Sequence, residues 1–129
     1  MPRTPKRRRS VCPVACTLDI LGDKWSLLVI RDLLCGRSTF REFLASPERI
    51  ATNILTDRLD RLVAVELVET VPSPARSDRH SYRLTERGRS LLPLLEAMRD
   101  WGLAHIPGSR AAISPPNAPT PPGSNTPVP

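Results

Sequence analysis

The stretch from Glu48 to Leu59, ERIATNILTDRL, sets Thr52, Asn53, Thr56 and Asp57 among residues that should form a helix. Small polar side chains stabilise a solvated helix poorly, but they suit base edges. Asn bonds adenine through two hydrogen bonds, and a Thr methyl meets the thymine methyl. Arg58 and Arg61 suit phosphate, or guanine where they reach an edge. Asp57 and Asp60 oppose phosphate. Asp57 either accepts from a cytosine amino group or pairs with Arg61 at i+4. A second basic set follows: Arg76, Arg79, His80 and Arg83. It suits a minor groove or a phosphate clamp. Arg37 and Arg41 could add phosphate contacts. The competing expectation for the whole exposed face is a merely solvated surface, which periodicity alone does not exclude.

The cysteines carry the other candidate chemistry. Cys12 stands near a helix start, where the dipole lowers a thiol pKa, and Arg8 and Arg9 are close in sequence. The alternative is a buried, inert cysteine. Cys16 follows at helical spacing and Cys35 ends an apolar run, which suits a core. His80 and His105 are isolated, so no metal site is expected. No nucleophile–base set, phosphate loop or cofactor motif appears, which argues against an enzyme and against a bound cofactor.

The elements that must position these groups follow from periodicity. CPVACTLDILG spaces Val14, Leu18 and Leu21 as a helix that stops at Gly22. Asp23 can cap the next helix, KWSLLVIRDLLCG, whose apolar centre makes it the buried spine. Thr39 and Glu42 form a capping box for a short third helix ended by Ser46 and Pro47. The helix of the opening stretch then runs to about Val65. With Leu55 facing inward and about 100° per residue, Leu59, Leu62 and Ala51 share its face. Asn53, Thr56, Asp57 and Asp60 fall opposite, with Ile54, Arg58 and Arg61 on the flanks. LVETV and HSYRLT read as two strands around a basic loop. Thr85 caps a last helix to Ile106, which Gly88 weakens and Pro93 kinks unless it starts late. The expected fold is mainly α with a small β-hairpin wing (α+β): a winged helix-turn-helix with extra N- and C-terminal helices.

Bulk properties bound the rest. The 129 residues suit one domain, residues 11–106, between a basic arm (1–10) and a Pro-rich tail (107–129), both expected to be disordered. The net charge of +6 resides in the arm and Arg110; Val11–Ile106 holds 13 basic and 13 acidic residues. Sequence-specific affinity must therefore come from charge placement, while the arm adds a non-specific term or merely solubilises. No membrane span or secretory signal is expected, and three cysteines suit a reducing cytoplasm.

CPV, LDILGDKWSLLVIRDLL, TFREF, IATNILTDRLDRL and YRLTERGRSLLPLLEAMRDWG together resemble the HxlR-type regulators, winged-helix proteins related in fold to the MarR group. The resemblance spans about Cys12 to His105. It implies a DNA-binding transcriptional regulator, a repressor in the first instance, that binds double-stranded DNA as a homodimer. It implies a dimer built by the first and last helices: Val14, Leu18 and Leu21 against Leu91, Leu94, Leu95, Met98 and Trp101. Two reading helices would then stand about 34 Å apart on a near-palindrome. Some relatives sense oxidants or electrophiles at the position of Cys12, so an oxidant or small molecule is an open effector class. The alternative function is a winged-helix protein-interaction module; that would call for apolar anchors on the exposed face, where Asn, Thr, Asp and Arg stand. Two positions depart from the pattern: Glu66 and Arg49 stand where Gly is expected.

Overall fold

The computed structural model describes residues 9–72 and 80–111. Helix α1 (Pro13–Leu21) starts on Pro13, whose missing N–H costs nothing there, and ends at Gly22. A Cβ on Gly22 would stand 2.3 Å from the Leu18 carbonyl oxygen. Asp23 then caps α2 (Ser26–Leu34) by accepting from the N–H groups of Trp25 and Ser26, at 2.9 and 3.0 Å. Short α3 (Phe40–Leu44) opens with the expected capping box of Thr39 and Glu42. Helix α4 (Thr52–Ala64) buries Leu55, Leu59 and Leu62. Ala51 is exposed instead of inward, because it is the extended residue before the helix and follows no helical phase.

The end of α4 explains the first departure. The Leu67 N–H reaches back to the Leu62 carbonyl at 3.0 Å, and the Glu66 N–H to that of Val63 at 3.0 Å. This left-handed ending puts Glu66 at φ 62°. The helix thus ends as a glycine would end it, with glutamate carrying the strain. Replacing Glu66 by Gly is expected to raise stability by roughly 0.5–1 kcal/mol, read as a higher urea midpoint. No gain would mean that the side chain offsets the strain.

Strands β1 (Val68–Pro72) and β2 (His80–Leu84) pair antiparallel, Val68 opposite Leu84 and Pro72 opposite His80. Thr39 bridges Ser81, and the Tyr82 N–H donates to the Ser38 carbonyl at 2.8 Å, so the segment before α3 joins the hairpin. The single long last helix is corrected. Thr85 caps a short α5 (Glu86–Arg89), and the chain restarts as α6 (Leu92–His105) with Pro93 in its first turn, where proline costs no hydrogen bond. Gly88 is a contact residue: a Cβ there would lie 2.1 Å from the Leu67 carbonyl oxygen. The core gathers Ile30, Phe43, Leu55, Leu59, Leu62 and Val68 under α2, α3, α4 and the hairpin. Among the described residues, no helix is long and apolar enough to cross a membrane.

Candidate nucleic-acid interface

Helix α4 stands on its three buried leucines and turns Thr52, Asn53, Thr56, Asp57, Asp60 and Arg61 to solvent. Asn53 makes no side-chain hydrogen bond among the described residues, so its amide is available. The Thr56 hydroxyl donates to the Thr52 carbonyl at 3.0 Å, which leaves the residue offering its methyl. No side chain caps the start of α4, so its first N–H groups also lack an internal partner.

Arg58 departs from expectation. Its Nε donates to Asp23 Oδ2 at 2.8 Å, and a second nitrogen pairs with Asp57. The guanidinium braces α4 against the α1–α2 junction and is not free for phosphate. Partial burial would push the Asp23 carboxyl up, but bonds from Ser26, Trp25 and Arg58 outweigh it and hold it well below its usual range. Asp57 also lies 3.8 Å from Arg61, the expected i+4 pair, with Arg58 the nearer partner.

Other predicted contacts divide similarly. Arg37 donates to the Glu42 carbonyl and the Ser46 hydroxyl, both at 2.9 Å, and so holds the end of α3. Arg83 pairs across the hairpin with Glu69 at 2.5 Å. Arg41, Arg61 and His80 are exposed. Arg76 and Arg79 lie outside the described residues. Arg49, at φ 56°, is exposed in the turn before α4, which confirms the glycine-like geometry of the second departure.

Beneath that turn runs a network the sequence did not disclose. Arg31 forks onto Glu48 at 2.7 and 2.9 Å and onto Asp32 at 2.8 and 3.1 Å. Asp32, only 3% exposed, also accepts from the Ser46 hydroxyl. Spacing gives no hint of it, since Arg31 and Glu48 are 17 residues apart.

The apolar rows separate into two groups. Leu21 belongs to the core, which corrects its assignment to an interface, while Leu91 and Leu95 pack against that core and are only half-buried. Val14, Leu18, Leu94, Met98 and Trp101 are exposed on α1 and α6, joined by Val11, Ile20, Leu92, Leu103 and Ile106.

Cys12 is exposed at the start of α1, and N–H groups of Ala15 and Val14 lower its thiol pKa. Arg9 is not its partner: it pairs with Asp19 at 2.6 Å. Arg8 lies outside the described residues. Burial pushes the Cys35 thiol up. Cys12 is therefore expected to alkylate at lower pH than Cys35, since the thiolate is the reactive form. Peptide-resolved iodoacetamide labelling from neutral to mildly alkaline pH checks this; the reverse order would refute the local geometry.

A helical pair, an outward polar helix and a hairpin at its side define the arrangement. The model of HxlR-like helix-turn-helix proteins matches residues 20–110. The chain belongs to the HxlR-like helix-turn-helix family. An uncharacterized HTH-type transcriptional regulator of Mycobacterium tuberculosis is 36% identical over 94 residues, 73% of this chain and 59% of the relative. The chain thus spans less than two thirds of that relative's length. The Bacillus subtilis regulator YdeP, also uncharacterized, is 36% identical over 96 residues, 70% of this chain and 71% of its own. Among solved structures, the oxidized redox regulator HypR is 32% identical with a TM-score of 0.66, covering 78% of this chain and 99% of HypR. The reduced transcriptional regulator YodB from B. subtilis gives 27% and 0.62, over 78% of this chain and all of YodB. The HxlR-like chain shares their winged-helix fold.

Proposed function

We propose that this HxlR-like chain is a sequence-specific DNA-binding regulator, a repressor that acts as a homodimer and responds to oxidants through Cys12. The observation that carries the proposal is the α4 surface, where Asn53 and Thr56 stand outward on a helix fixed by Leu55, Leu59, Leu62 and Arg58. Arg41, Arg49 and Arg61 flank that face for phosphate, with Arg76 and Arg79 as wing contacts. Trp101, Val14 and Leu18 support the dimer, being 62%, 67% and 54% exposed in a lone chain. HypR and YodB, regulators with reduced and oxidized or quinone-bound forms, support the redox assignment. In the oxidized state two Cys12 thiols lose two electrons and two protons to an oxidant such as diamide and form one S–S bond between subunits.

The test is binding to the DNA flanking the protein's own gene, by fluorescence anisotropy at two salt concentrations, with and without diamide. Selective, salt-sensitive binding that changes with diamide, and no longer does so in Cys12→Ser, is expected. Asn53→Ala should lower discrimination by about 1–3 kcal/mol while sparing random-sequence binding. Equal losses on specific and random DNA would mean that Asn53 reads no base.

A further inference from the structure

Three arginines, Arg37, Arg83 and Arg89, line a cleft of about 310 Å³ where the end of α2 meets β2 and α5. Leu33, Leu34 and Leu84 supply its apolar wall. Among the described residues, no aspartate or glutamate lines it. A cleft of similar size between α2 and α6 sets Glu48 and Glu96 beside its arginines and has no such single sign.

Two of the three cations are fixed by neutral groups. Arg37 donates through one nitrogen to the Glu42 carbonyl and the Ser46 hydroxyl, and Arg89 through one nitrogen to the Leu84 carbonyl at 2.8 Å. Neither pairs with a carboxylate among the described residues; Arg83 does, through its Nε, with Glu69. A guanidinium carries five N–H donors. The other nitrogens of all three arginines therefore stand without a protein acceptor among the described residues. The carbonyls of Arg31, Asp32 and Leu33 at the end of α2 already accept from backbone N–H groups, which blunts the negative end of that helix.

We propose that this cleft binds a small organic anion: a carboxylate or phosphate head held by Arg37, Arg83 and Arg89, on a short apolar body that covers Leu33 and Leu34. An anionic head supplies the acceptors that the arginines lack, and charge-assisted bonds to a fork of N–H groups are the strong ones. Arg37 and Arg89 are anchored beforehand, so they lose little freedom when the head arrives. Leu33 and Leu34 are only half-buried, which leaves apolar surface for the body to cover. A DNA backbone would satisfy the arginines but leave those leucines wet. The cleft is at the small end of ligand pockets, roughly 300–1,000 Å³, which limits the body to a few carbons. This site stands apart from the oxidant response assigned to Cys12 and needs neither DNA reading nor dimerisation.

The test is a titration of ¹⁵N-labelled full-length protein, followed by NMR, with hexanoate, hexyl phosphate, hexanol and inorganic phosphate as separate probes. Hexanoate or hexyl phosphate should shift the amide resonances of Gly36, Ser38 and Arg83 along one saturable curve, and the tighter of the two names the head. Hexanol and inorganic phosphate should each bind at least about tenfold more weakly, since each lacks one half of the ligand. Arg89→Gln should weaken the tighter probe about tenfold at an unchanged melting temperature, and Arg89→Lys, which keeps the charge, should lose less. Shifts scattered over the surface without saturation would overturn the proposal, as would hexanol or inorganic phosphate binding as tightly as the amphipathic probes. So would a short random-sequence duplex shifting these amides when neither amphipathic probe does, because the arginines would then serve DNA phosphate.

Discussion

Replacing Leu18 and Trp101 together by glutamate is expected to yield a folded monomer whose operator affinity falls by about 10²–10⁴-fold. Both side chains are more than half exposed, so a lone chain loses little by the exchange. A dimer would have to bury the new carboxylates against the apolar faces of α1 and α6, which is strongly unfavourable. The loss in DNA affinity follows from geometry. Two linked reading helices convert the second half-site contact into an intramolecular event, and a monomer forfeits that gain. Sedimentation measures the first effect and fluorescence anisotropy the second. A variant that stays dimeric would place the interface elsewhere. A monomer that binds as tightly as wild type would show that one copy suffices.

Asp32→Ala is expected to cost about 3 kcal/mol of stability, the low end for breaking a buried ion pair, because Arg31 keeps Glu48. Asp32 is nearly inaccessible and holds Arg31 and the Ser46 hydroxyl together. Its removal leaves the half-buried Arg31 guanidinium and Ser46 short of a partner. Urea midpoints at one fixed protein concentration give the number, since any assembly would otherwise shift it. Asp32→Asn, which keeps the shape and one acceptor, should lose less. A cost under about 1 kcal/mol for the alanine variant would mean that water readily replaces the carboxylate.

The elements were legible because their signals are local. Gly22, the Thr39–Glu42 box, the leucine spacing of α4 and the β-branched wing each act within a few residues. Ala51 and the α5–α6 break show where that locality fails. A helical wheel assigns a face to a residue that is not yet helical, and Pro93 marks a helix start as readily as a kink. The outward set Asn53, Thr56 and Arg61 was legible for the same local reason. Arg58, Arg37 and Arg83 were not, because their partners are fixed by packing: Asp23 lies 35 residues from Arg58, and Glu69 faces Arg83 only through strand register. A count of cations cannot tell a brace from a free contact. The apolar rows divided likewise. Leu21 and Leu95 share the helical spacing of Leu18 and Met98, and only the tertiary fold decides which of them meets the core.

The Asp23–Arg58 brace has a mechanical consequence. Asp23 stands two residues past the end of α1 and accepts from the Trp25 and Ser26 N–H groups, so the carboxylate that grips α4 is fixed to the start of α2. The brace ties α4 to the start of α2 at a place apart from their shared leucine packing, as a strut stiffens a joint. A load on the outer face of α4 is therefore shared between the leucine packing and this strut, and the angle of α4 follows the start of α2.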